Sequence, residues 1–220
     1  MRNLRMKKFF SCLLLISLLF TFSCSGGGSS TSGGGSSGSD YGYLYQHNAG
    51  ANNGIIIRWQ TPIQVNTNGV AGAEEAFRTW GIPVTYVSSN PAEGITLSIG
   101  EPGAGVCGVT YSQWYRSNGR MATAQIVIAS NLNRCVNTVT HEVCHALGYR
   151  GHSSDGGLMD PAGGNGQITA EVRNMINLLY SLPIGTTISP SQSLKSRALL
   201  KQSNRILIPD GGGMVTWVDR

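Results

Sequence analysis

The sequence predicts an α/β domain whose sheet is parallel or mostly parallel. Strand-like and helix-like segments alternate from Ile55 onward, as βαβ crossovers require. Of the 220 residues 40% are hydrophobic, enough for one domain with a real core. Charged residues are only 12%, too few for the highly charged kind of disordered chain. No internal repeat is visible, which sets solenoids and propellers aside.

The N-terminus stands apart. Arg2, Arg5, Lys7 and Lys8 precede an apolar run over residues 9–22, then Ser23 and Cys24, the outline of a secretory signal. The run is short of the roughly 20 apolar residues of a permanent membrane span. Residues 1–23 are therefore expected to be a signal peptide. Residues 24–39 follow as a Gly/Ser-rich tether, 40–183 as the folded domain, and 184–220 as an extension without an assigned role. The formal charge of +5 owes four positive groups to the signal, and 12 basic against 11 acidic residues remain. A nucleic-acid partner loses its electrostatic footprint.

Within the domain, residues 55–65 are β-rich and interrupted at Pro62. Residues 70–80 place Val70, Ala73, Ala76, Phe77 and Trp80 at helical spacing, with Gly81 and Pro83 as the stop. Residues 84–87, 95–99 and 124–129 read as strands, and 103–119 as a long excursion of the kind that borders a site. Residues 136–147 form the next helix, and a Gly-rich stretch covers 148–166. The last helix spans 169–182, with Thr169 at its N-cap, Glu171 facing its dipole and Pro183 at its end. In the extension, residues 205–208 are strand-like.

Cys12 leaves with the signal. A cleavage point ending in Cys24 ahead of a tether resembles a bacterial lipoprotein, which implies a lipid on Cys24, an extracytoplasmic location and membrane contact only through that anchor. Ordinary secretion with an incidental thiol is the alternative. Among Cys107, Cys135 and Cys144, the last two fall on one expected helix about 13 Å apart, beyond disulfide reach. Cys107 with Cys135 is the favoured pair, and three buried free thiols are the alternative.

Three of four histidines lie within residues 141–152. On a helix, His141 and His145 aim at one point, and Glu142 stands beside it as a general base rather than a ligand. Zinc held by three protein ligands keeps a position open for water, so a third donor is needed. Gly148 can turn the chain back after the helix and bring up His152. His47, near Tyr41, Tyr43 and Tyr45, is expected to be structural or solvent-exposed.

The string HExxHxxG from His141 to Gly148, a third His and the downstream stretch of Gly157, Leu158, Met159, Asp160 and Pro161 resemble the metzincin zinc peptidases, matrixins most of all. The resemblance covers residues 55–183. It implies a twisted five-stranded sheet with one antiparallel edge strand and three helices, with Met159 as the apolar floor under zinc. It also implies an extended protein or peptide substrate lying antiparallel to the edge strand. Met159 as a gap-filling core residue is the alternative. The family places its third His at the position of Gly151, one residue before His152, and a local bulge at Gly151 absorbs the difference. Glu171 is the rival third ligand, in the manner of gluzincins, and Cys107 a further candidate to approach the metal. A second zinc and calcium, common in matrixins, find no donors here. The expected function is zinc-dependent endopeptidase hydrolysis with Glu142 activating the water. A metal-binding surface lipoprotein without turnover and a purely structural envelope lipoprotein are the alternatives.

Overall fold

The computed structural model describes residues 38–131, 135–161, 164–189, 208–209 and 213–219. Along the chain come α1 (Gly38–His47), a 3-10 turn (Ala49–Asn52), β1 (Ile63–Asn66), α2 (Ala73–Trp80), β2 (Val84–Tyr86), β3 (Gly94–Gly100), β4 (Gly108–Tyr115) and β5 (Met121–Ala129). They are followed by α3 (Thr138–Ala146), α4 (Ala170–Ser181), β6 (Ile208–Pro209) and β7 (Met214–Asp219). The class is mixed α/β.

The sheet order is β2-β1-β3-β5-β4-β7-β6. β2, β1, β3 and β5 run parallel, whereas β4 is antiparallel to both β5 and β7, and β6 is antiparallel to β7. β5 sits in the middle because its alternating Ala122, Ala124, Ile126 and Ile128 are apolar and buried. On α2 the same logic works at helical period: Ala73, Ala76, Phe77 and Trp80 make the buried stripe, and Gly81 ends the helix in the left-handed conformation. Its outer face carries Glu75 and Arg78, 2.8 Å apart, an exposed pair that contributes little stability.

Asn48, fully buried, ties the N-terminal segment to the site. Its amide donates to the carbonyls of Ile57 (2.7 Å) and Gly148 (2.8 Å), and its Oδ1 accepts from Ile57 N (2.7 Å). The Cys107–Cys135 disulfide is present, and Cys144 is buried and free. Closing a loop of 28 residues around β4 and β5 contributes about 3–4 kcal/mol on a chain-entropy argument.

Several expectations are corrected. The sheet has seven strands and the described residues hold four α-helices, against five and three expected. The excess comes from α1, which begins two residues before the expected domain boundary, and from β6 and β7 in the extension. The excursion over 103–119 contains β4, whose core-facing Thr110, Ser112 and Trp114 hide its period behind small polar side chains. β4 is not an edge strand, since β7 covers it. The β-rich stretch over 55–65 yields a strand only after Pro62, with isolated bridges at Ile55 and Arg58. Cys135 precedes α3 rather than lying on it. The signal, Cys24 and residues 205–207 fall outside the described residues, while Ile208 belongs to β6. Among the described residues no helix is long and apolar enough to cross a membrane.

Candidate metal centre

His141 and His145 lie one turn apart on α3 and both are buried. Beyond the helix, Gly148 (φ +118°) and Gly151 (φ +72°) take conformations that suit only glycine, and the chain doubles back. That reversal carries His152 to the other two. Its Nε2 stands 3.2 Å from His141 Nε2, which is 3.0 Å from His145 Nε2. Gly151, with its positive φ, lies between Gly148 and His152 in this turn.

Hydrogen bonds fix which nitrogen carries the proton. His141 Nδ1 lies 2.6 Å from Leu158 O and His145 Nδ1 2.9 Å from Tyr149 O. A carbonyl only accepts, so each Nδ1 donates and each Nε2 is left with a lone pair. Burial holds all three imidazoles below their usual pKa, His141 at about 4, so they are neutral near pH 7. Lone pairs facing one another at such range repel unless an electrophile lies among them. Tetrahedral zinc with Zn–N bonds of about 2.0–2.1 Å sets ligand nitrogens roughly 3.3 Å apart, close to the spacing found. The three histidines can hold a metal ion, with their donor atoms all within 4.8 Å of one another.

The same burial predicts acid sensitivity in the metal-free chain. The His141 imidazole takes up its proton more readily unfolded, near pH 6.5, than folded, near 4. Stability is thus complete above pH 6.5 and is lost as the pH falls toward 4, by about 3 kcal/mol for this ring. In EDTA-treated protein the ring resonances of His141 should titrate near pH 4, and titration near pH 6.5 would show that the ring is not held neutral by burial.

The turn bearing His152 is gripped from several sides. Ser153 N donates to Met159 O (2.9 Å), and Met159 is fully buried next to Leu158, whose carbonyl orients His141. His47 is structural: its carbonyl accepts from Arg150 N (2.7 Å), its ring stacks on Tyr149 at 4.7 Å, and Tyr43 bonds the Tyr149 hydroxyl (2.7 Å). From the far end of the chain, Asp219 accepts from Gly151 N (3.0 Å) and stands 3.3 Å from the Arg150 guanidinium, with both side chains buried. Asp219 Oδ2 is 3.8 Å from His145 Nδ1, too far to displace Tyr149 O as its acceptor.

Glu142 follows His141 on α3 and is buried. The Thr110 hydroxyl on β4 lies 2.7 Å from its Oε2. Burial pushes the carboxyl up to about 8, while the Thr110 bond pulls the other way. Gly108 makes the close approach of β4 and α3 feasible, since a Cβ there would sit 2.6 Å from Glu142 Cγ. A carboxyl with a pKa near the working pH suits general base and acid service.

Other candidates fall away. Glu171 is exposed in the first turn of α4 and outside the histidine cluster, and Cys107 is consumed in the disulfide. Thr169 occupies the N-cap position, but its hydroxyl donates to Asp155 (2.8 Å) instead of capping. Thr110, Arg150 and Asp219 escape a reading of the sequence: β4 reads as a loop, and nothing local links residue 219 to residue 150. Fold and site together define a mixed α/β protein with a three-histidine cluster that could hold a metal ion and an adjoining buried carboxyl. No protein-family model matches the chain, and no curated protein matches it.

Proposed function

We propose that the chain is a secreted zinc endopeptidase of metzincin type, matrixin-like, tethered to a membrane surface by a lipid on Cys24. The observation that carries this reading is the convergence of three imidazoles, with His141 Nε2 3.0 Å from His145 Nε2 and 3.2 Å from His152 Nε2, beside a buried glutamate. His141, His145 and His152 are the ligands, and Met159 closes the pocket from beneath. Zinc in that position supplies Lewis acidity toward a peptide carbonyl and acidifies nearby water. Glu142 takes a proton from the attacking water and passes it to the departing amine, with Thr110 holding its carboxyl in place. The low-dielectric surroundings strengthen each of these interactions.

Metal analysis tests the reading. Purified protein should carry one zinc ion per chain and cleave casein, and His152→Ala should lower both the zinc content and the cleavage. Wild-type protein free of metal after zinc loading would sink the proposal. The covering of β4 by β7 favours a second reading, a metal-binding surface protein without turnover. Zinc bound stoichiometrically with no cleavage of any peptide in a library would select it.

A further inference from the structure

His152 rides on a turn with no helix or strand of its own, and Gly148 and Gly151 in that turn both stand at positive φ. A ligand on such a segment binds an ion tightly only when other parts of the chain fix its backbone beforehand, because ordering it on binding costs affinity. The fixing bonds come from far along the sequence. Arg150 N donates to His47 O (2.7 Å), the His47 Nδ1–H to Arg150 O (3.1 Å), and Ser153 N to Met159 O (2.9 Å). Between those grips lies Gly151, whose N–H donates to Asp219 Oδ1 (3.0 Å) across 68 residues of chain.

Asp219 is 3% exposed, and its two oxygens do different things. Oδ1 meets two N–H groups, Gly151 N and Trp217 Nε1 (2.8 Å), and so sets where the Gly151 peptide stands. Oδ2 faces the Arg150 guanidinium at 3.3 Å and balances its buried charge. The distance from Oδ2 to His145 Nδ1 is 3.8 Å, beyond hydrogen-bond range, so Asp219 reaches the cluster through the backbone and not through a ring. The register of β7 delivers it there, since Asp219 pairs with Thr110, the residue that touches Glu142. We propose that Asp219, through Oδ1, is a positioning residue for the third metal ligand: it holds the Gly151 peptide so that His152 stands beside His141 before an ion arrives, a role separate from its charge pairing with Arg150. This rests on the metal-binding part of the reading above and not on peptide hydrolysis.

Three full-length variants separate the two roles. Asp219→Asn loses the charge but keeps an oxygen, which the two N–H donors draw to the Oδ1 side. Asp219→Ala loses both. Arg150→Met combined with Asp219→Leu loses the acceptor but leaves no buried charge unpaired. Metal-free urea melts rank their stability, and competition against a chromophoric chelator gives the zinc affinity of each under conditions where it is folded. Asp219→Asn should bind zinc within about threefold of wild type, while Asp219→Ala and the double variant should each bind about tenfold or more weakly. The double variant should nevertheless be more stable than Asp219→Asn. In the cobalt(II)-loaded proteins the visible absorption reports ligand geometry, and it should match wild type for Asp219→Asn and change for the other two. Should Asp219→Ala not fold, the double variant carries the same comparison. Equal zinc affinity with and without the Oδ1 acceptor would overturn the proposal. So would affinity that simply follows stability, because Asp219 would then serve the fold alone. Wild-type protein that binds no zinc would sink the metal centre and this proposal with it, whereas zinc binding without cleavage of any peptide removes only the peptidase reading.

Discussion

Replacing Glu142 with Gln should leave the zinc content unchanged and lower peptide hydrolysis by about 10²–10⁴-fold. The substitution keeps the volume of a side chain that is 3% exposed and packed against Gly108, so the fold has little reason to respond. The amide keeps an oxygen that can accept from Thr110, whose hydroxyl lies 2.7 Å from Oε2 in the native protein. What it loses is the capacity to take up and release a proton. The defect should therefore appear in kcat, with KM changed far less. Hydrolysis within about threefold of wild type would remove Glu142 from the mechanism, and loss of zinc in this variant would recast it as a structural support of the histidines.

Asp219→Ala should reduce stability by about 3–5 kcal/mol, because it strips the anionic partner from a guanidinium that is 1% exposed. Arg150 Nε already lacks a hydrogen-bond partner, and the guanidinium would be left with the sulfur of Met121 (3.3 Å) and the Trp114 ring (5.2 Å). For a domain of this size the Tm should fall by about 10 °C. The double replacement Arg150→Met with Asp219→Leu should recover much of that loss, since removing both charges ends the cost of burying either alone. A single variant as stable as wild type would mean that β7 contributes nothing to the turn carrying His152. No recovery in the double variant would place the loss in packing around Trp217 rather than in the charges.

How legible the molecule is in its sequence depends on how local the determining interactions are. The histidine cluster is legible because His141, His145 and His152 are close in sequence and a helix followed by two turn-forming glycines is enough to gather them. The stripe on α2 and the α/β class follow from periodicity for the same reason. β4 hides because Thr110 and Ser112 face the core while looking like loop residues, and both roles of Thr110, toward Glu142 and toward β7, arise from elements distant along the chain. α1 hides because Gly38, Ser39 and Gly42 give it the composition of the tether before it, and its reason to be ordered is packing at Tyr43 and His47. The C-terminal strand is the plainest case. The sequence reading places a strand at 205–208 and none at 214–219, and only the fold reveals that β7 lies beside β4 and that Asp219 meets Arg150.

The placement of β7 and β6 also decides what the sheet offers to other copies of the chain. Without them the long β4 would border solvent as a ready template for intermolecular growth. With them, the described sheet terminates in three-residue β2 on one side and two-residue β6 on the other, and Pro209 within β6 has no N–H to donate. Borders so short and so blunted resist aggregation.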